Sequence, residues 1–334
     1  MLDFKSTVIF GLMLACVTFT SCFMSKGKNT LSLPGKIAVN LEDSFFIYDN
    51  SSMSKIKFKI KNDEKISYAG FNWINKGNNF IGVEYLQTPA TGINQGNVVC
   101  FDLSGNIVKR VYESLDGEIA EDAYLSRNDK RLLFTTIRKG NANINPLEGL
   151  NPVLSLVIMD FNKKEVIEKI KNVGTSLSFE LHESPWLFDE NRFIYSISGE
   201  KKITVEGINA DSPQKDELGI YVYDLTVNQK KMLIPEARFG ICSPVDLHVS
   251  YIKGQSVWVI DLKDNSTKNV FQVGPKDRIG NIHWTPDGKY IYIAYINYSN
   301  PTGPEPEEKL IEVRTSKEVF FEKIEHGFHS YSWK

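Results

Sequence analysis

One short unit constrains this chain more than any other feature. Ile282-His283-Trp284-Thr285-Pro286-Asp287-Gly288-Lys289-Tyr290-Ile291-Tyr292-Ile293-Ala294-Tyr295 reads as strand, tight turn, strand. Pro286 presets φ for a turn, Asp287 can bond its own backbone, and Gly288 supplies the positive φ that closes the hairpin. The frame recurs. Leu125 to Phe134 repeats it, Trp186 to Tyr195 repeats it with the Gly replaced, and Trp73 to Gly82 keeps the Trp and the turn. Cys242-Ser243-Pro244-Val245-Asp246 keeps mainly the Ser-Pro, and Ser332-Trp333 is a copy cut off after its first strand.

The anchors therefore fall at residues 73, 125, 186, 242, 284 and 333, with spacings of 52, 61, 56, 42 and 49. Such spacing fits a four-stranded blade with loops of variable length. After each hairpin comes a third strand ending in aspartate, at residues 98–102, 156–160, 220–224 and 257–261. A more polar fourth strand follows, as at 107–112 and 319–324. The aspartates Asp102, Asp160, Asp224 and Asp261 recur too regularly for catalysis, and capping of turns is the simplest role for them. Residues 163–171 fit a helical face as well as a strand, and no long window has clear helical periodicity.

The Trp-Thr-Pro-Asp-Gly-Lys-Tyr-Ile segment, with third strands such as Tyr221-Val222-Tyr223-Asp224-Leu225, resembles the WD40-like PD40 repeat. That repeat builds TolB-type six-bladed propellers and the propeller domain of prolyl oligopeptidases. The resemblance implies an all-β fold: a six-bladed β-propeller of four-stranded antiparallel blades over residues 37–334. Strands at 37–40, 45–49 and 55–60 would make three-quarters of one blade, and a strand at 329–333 would complete it. Pairing of the first and last strands would remove two open sheet edges. The chain ends at Lys334, one residue later, which implies nothing appended.

The N-terminus has a different character. Lys5 precedes an apolar run over residues 8–19, followed by Thr20, Ser21 and Cys22, the order of a secretory signal. The run is shorter than a comfortable spanning helix. Met13-Leu14-Ala15-Cys16 and Phe19-Thr20-Ser21-Cys22 each resemble the lipobox of bacterial lipoproteins, in which the cysteine takes a diacylglycerol. Cys22 is the better placed, because Cys16 would leave a very short apolar region. Residues 1–22 are thus expected to be a signal peptide and residues 23–36, rich in Ser, Lys, Gly and Asn, a flexible tether. The expected location is the bacterial cell envelope, with a lipid anchor in the membrane and the propeller facing periplasm or cell surface.

A net charge of -2 and a pI near 6.3 give no basic field for nucleic acid. Cys100 and Cys242 lie in blades on opposite sides of the expected ring, too far apart to bridge, and are expected to be buried packing residues. No Gly-x-Ser-x-Gly elbow, phosphate-binding glycine loop, His-Glu-x-x-His or paired-cysteine metal motif occurs. No cofactor and no metal are implied.

Functional candidates gather at the expected funnel. Glu180, His182 and Glu183 precede the Trp186 anchor, and Glu118, Glu121 and Asp122 occupy the equivalent stretch before Leu125. The funnel would then be acidic and suited to a cation or basic peptide. His283 and His329 also fall on expected inner strands and could join His182 at the axis, although scattered histidines more often serve the sheet or core. Long insertions are expected at 139–152, 199–217 and 297–308, the last a stiff acidic loop containing Pro301, Pro304 and Pro306. The implied function is a non-catalytic scaffold that holds a protein or peptide partner. The alternative is a propeller enzyme of lyase or lactonase type, with a metal or acid/base site in the funnel.

Overall fold

The computed structural model describes residues 36–41, 44–49, 54–58, 66–74, 79–88, 92–115, 117–138, 153–175, 179–198, 204–205, 208–209, 217–321 and 331–333. Cys16, Cys22, the signal segment, residues 23–35 of the expected tether, His329 and the insertion at 139–152 lie outside these residues, while Lys36, expected as the last tether residue, opens the first strand. Every regular element of appreciable length among the described residues is a β-strand, twenty-six in all.

The first sheet contains β1 (Lys36–Leu41), β2 (Ser44–Asp49) and β3 (Ser54–Phe58). Next come β4 (Ile66–Trp73), β5 (Phe80–Thr88), β6 (Gly92–Phe101) and β7 (Ile107–Tyr112), then β8 (Glu118–Leu125), β9 (Arg131–Arg138), β10 (Val153–Asp160) and β11 (Glu165–Thr175), two four-stranded antiparallel sets that one parallel contact, Gly96 of β6 with Ile119 of β8, joins into an eight-stranded sheet. The following sheet is β12 (Phe179–Glu180), β13 (Arg192–Ile197), β16 (Gly219–Asp224) and β17 (Gln229–Pro235), with β14 (Thr204–Val205) and β15 (Ile208–Asn209) forming a separate ribbon. Two more antiparallel sheets are β18 (Arg238–Cys242), β19 (His248–Lys253), β20 (Ser256–Asp261), β21 (Thr267–Gln272), and β22 (Arg278–Trp284), β23 (Tyr290–Asn297), β24 (Glu305–Glu312), β25 (Lys317–Val319). The last strand, β26 (Tyr331–Trp333), pairs antiparallel with β1, so one four-stranded sheet joins both ends of the chain in the order β26-β1-β2-β3.

Residues 163–171, ambiguous by pattern, belong to a turn and β11, because their edge pairing to β10 outweighs the helical spacing. The acidic loop is shorter than its sequence implied. Glu305 to Glu308 extend β24 against β23, leaving only residues 298–304 outside strands. Pro306 is tolerated there because β25 begins pairing at Leu310, so its missing N–H is on an open edge.

The turns between strands follow the chemistry of their sequences. Asp102 accepts the amides of Ser104 and Asn106, Asp160 those of Asn162 and Lys163, Asp224 that of Thr226, and Asp261 that of Lys263. In the Trp284 hairpin, Thr285 Oγ1 donates to Asp287 and accepts the Tyr290 amide, while the Gly288 amide donates to the Thr285 carbonyl. Gly288 has φ 65°, and an added Cβ would lie 2.3 Å from Val245 Cγ2. Glycine is required there twice over, by conformation and by space.

The apolar core lies as layers between consecutive sheets. One layer joins Ile81, Val98 and Cys100 to Leu132, Phe134 and Val157; the next joins Leu133, Leu156 and Ile158 to Trp186, Phe193 and Tyr221. A third packs Ile194 and Ile220 against Cys242, Val249 and Ile260, and a fourth packs Ile252 and Val259 against Trp284, Ile291 and Ile311. Full burial of side chains such as Phe80, Phe134 and Phe193 contributes about 1.5–3 kcal/mol each. The sheets also bond at their inner edges. The Trp186 indole donates to the Tyr124 carbonyl at 3.2 Å, and the Trp284 indole to that of Ile241 at 3.1 Å. These two anchor tryptophans thus fasten their segments to the inner strand of the preceding sheet. Where β6 and β8 touch, Gly96 lets the backbones meet: a Cβ there would lie 2.7 Å from the Ala120 carbonyl.

Cys100 and Cys242 are buried and free. Burial pushes the Cys100 thiol up to about 11 and that of Cys242 further, so neither is a reactive thiolate.

Candidate functional site

The innermost strands share a defect in the same place. Pairing of β4 with β5 slips between Ala69 and Asn72, of β8 with β9 between Glu121 and Tyr124, of β18 with β19 between Arg238 and Ile241, and of β22 with β23 between Ile279 and Asn281. These are β-bulges, which re-aim side chains. In β8 the effect is visible as a change of phase. Glu118 and Ala120 are buried before the bulge, Ala123 and Leu125 after it, and Glu121 and Asp122 between them both leave the core face. Gly70, Asp122 and Phe239 occupy equivalent bulge positions with φ of 66°, 51° and 54°. Glycine adopts this conformation freely and aspartate with little penalty, but a phenylalanine held there is strained.

These strands converge on a cavity of about 220 Å³. Its lining repeats by position. The residue three before each anchor contributes Gly70, Asp122, Glu183, Phe239 and Asn281, and the residue one before contributes Asn72, Tyr124, Ile241 and His283. Five segments far apart in sequence therefore present the first of these positions to one space, and four of them present the second as well.

Of the residues singled out in the sequence, Asp122, His182, Glu183 and His283 line this cavity together. Glu183 and His283 touch directly, with 2.5 Å between Oε2 and Nδ1. This contact joins the β12 sheet to the β22 sheet and skips the one between them. His182 is held from two sides, by Glu180 at 3.2 Å and by the Phe239 ring stacked 4.1 Å away. Glu180, in turn, accepts from Ser198 Oγ at 2.9 Å and stands behind His182 rather than in the lining. His182 and Glu183 lie not on a strand but in a break between β12 and an isolated bridge at Trp186. Pro185, which cannot donate to a ladder, accounts for the break.

Glu121 is turned away from the cavity lining. Burial, reinforced by the Asp122 carboxylate, pushes its acid up to about 7. Glu118 is committed elsewhere, to Lys169 at 2.7 Å and to the Tyr112 hydroxyl at 3.2 Å. The Tyr124 phenol is pushed well above its ordinary range by burial and then by the nearby Asp122 and Glu183 carboxylates. Pattern reading missed Phe71, Asn72, Tyr124, Phe239 and Asn281. The equivalence of positions one and three before each anchor was the signal that would have found all of them but Phe71, which is two before its anchor.

Outside the cavity lining, the Arg127 guanidinium donates to the Ser243 carbonyl at 3.0 Å and lies 5.0 Å from the Phe188 ring. This too is a contact across one intervening sheet. Among the described residues, no group of three His, Cys, Asp or Glu side chains is arranged to hold a metal ion.

No protein-family model matches the sequence, and no curated protein matches it. Solved structures do resemble the fold. An oligogalacturonate lyase in complex with manganese superposes with a TM-score of 0.56 at 10% identity, covering 83% of this chain and 70% of that one. The oligogalacturonate lyase of Vibrio parahaemolyticus gives 0.55 at 9%, covering 82% and 70%. TolB from Agrobacterium tumefaciens gives 0.48 at 12%, covering 87% and 90%. At such identities the likeness concerns architecture: the chain has an all-β, propeller-like fold of four-stranded antiparallel sheets.

Proposed function

We propose that the sheets are the six blades of a closed propeller, exported and held at a membrane by lipid on Cys22, whose axial funnel binds a protein or peptide partner. Pairing of β26 with β1 supports closure. The contacts that skip a sheet, Glu183 with His283 and Arg127 with Ser243, support an axis on which inner strands converge. The signal-like N-terminus supports export. One observation carries the functional reading: a single cavity to which five segments contribute the residue three before their anchor and four of them also the residue one before, with different chemistry at each.

Capture from detergent-solubilised envelopes with the full-length chain tests it. Wild type should retain a reproducible partner that Asn281→Trp, which fills the cavity, releases. Absence of a partner, or equal retention by Asn281→Trp, contradicts the reading.

The Glu183–His283 contact favours a second reading, acid-base catalysis in the funnel, since a carboxylate that orients an imidazole is a common general-base arrangement. The lyases of similar fold give that reading a substrate to try, oligogalacturonate. The described residues do not supply the ligand set that a manganese ion would need. Turnover of oligogalacturonate by the full chain, lost in His283→Asn, would make catalysis the better account.

A further inference from the structure

The chemistry of the axial cavity narrows what it can receive. At about 220 Å³ it is smaller than the roughly 300–1,000 Å³ of sites that enclose a whole small molecule, and fits a portion of a larger ligand. Among the described residues its lining holds two carboxylates, Asp122 and Glu183, two imidazoles, and no lysine or arginine. Phe71, Tyr124, Leu181 and Ile241 give it apolar walls. Arg238 lies 5.4 Å from the Phe239 ring and donates to the Ile279 carbonyl at 3.4 Å, outside the lining.

Apolar walls beside carboxylates match a side chain with an apolar stem and a cationic head. We infer that the cavity receives one basic side chain, lysine or arginine, from an extended segment of the partner, with its stem along Phe71 and Tyr124 and its charge facing Asp122 and Glu183. This rests on the funnel-binding reading above and adds the ligand's chemistry to it. Each imidazole lies within hydrogen-bonding reach of a carboxylate, His283 of Glu183 and His182 of Glu180.

The test uses the full-length protein in detergent and three capped tripeptides, acetyl-Gly-X-Gly-amide, with X as Lys, Arg or norleucine. Calorimetric titration should give binding of the Lys or Arg peptide at least about tenfold tighter than norleucine, which has the stem without the charge. Whether Lys or Arg binds better identifies the head group. Asp122→Asn should weaken the basic peptide about threefold to tenfold, and Arg238→Ala should strengthen it by a smaller factor, while norleucine binding stays constant in both. These opposite signs separate electrostatic selection from a folding defect, which would weaken all peptides together. Equal affinity for basic and norleucine peptides, no binding of any peptide at millimolar concentration, or indifference to Asp122→Asn overturns the inference. If Asn281→Trp still releases a captured partner in that event, the funnel reading survives and only the basic ligand is lost. If Asn281→Trp retains the partner, both fall.

Discussion

The end of each inner strand and the bulge three residues before it lie about 10 Å apart along the chain and obey different rules. At the ends, Trp186 and Trp284 make the same bond to the preceding strand, and Leu125 and Cys242 are each buried in a core layer between sheets. At the bulges, the equivalent position holds Gly70, Asp122, Glu183, Phe239 and Asn281, which share no chemistry. Uniform positions hold the sheets together, and divergent ones give the cavity its character. The repeat is a scaffold, and its departures from repetition form the candidate site.

This contrast predicts effects of different kinds at the two places. The largest should come from the ends. Trp284→Ala removes a buried indole and its bond to Ile241, and should cost about 3–5 kcal/mol in denaturant unfolding. A loss near 1 kcal/mol would mean that the sheets are not fastened by their anchors. Gly96→Ala, at the meeting of β6 and β8, should cost about 1–3 kcal/mol, because the new Cβ meets backbone that cannot rotate away.

At the bulge of β8 the expected effect depends on pH. The Glu121 acid is raised in the fold, so the folded state holds its proton more tightly than the unfolded chain does. Its contribution is fully present below the unfolded value near 4.5 and is lost as pH rises through about 7. Glu121→Gln should therefore be little different from wild type at pH 4 and more stable by about 1–3 kcal/mol at pH 8, the range allowing for partial solvent access. A stability difference that does not grow between these pH values would show that Glu121 is not held in the way described. The smallest effect on stability should come from Phe239→Gly. Relief of its positive φ offsets the lost stacking on His182, and melting should change by no more than about 1 kcal/mol. A large destabilisation would place Phe239 with the anchors rather than with the cavity.

The same contrast explains what was legible in the sequence. Turn chemistry is local. Thr285, Asp287 and Gly288 announce their hairpin without help from the rest of the chain, and Asp102, Asp160, Asp224 and Asp261 mark the ends of their strands. Strand alternation placed most elements within a few residues, and the expected pairing of the first and last strands is present as β1 with β26. Bulges have no such signature. An extra residue such as Asp122 looks like any polar residue in a strand, and only the phase change in burial reveals that Glu121 and Asp122 leave the core face together. The Glu183–His283 contact was out of reach for a related reason. It spans 100 residues and depends on how sheets are arranged, not on any spacing along the chain. The loop before Glu305 was misread because Pro306 and its acidic neighbours argue against a strand, although an open edge accepts them.

The most direct test is a crystal structure of the protein grown with acetyl-Gly-Lys-Gly-amide. The account predicts density for the lysine side chain inside the cavity where the inner strands converge, its ammonium within hydrogen-bonding reach of Asp122 or Glu183. A cavity filled by the protein's own side chains, or a peptide bound elsewhere on the sheets, would contradict it.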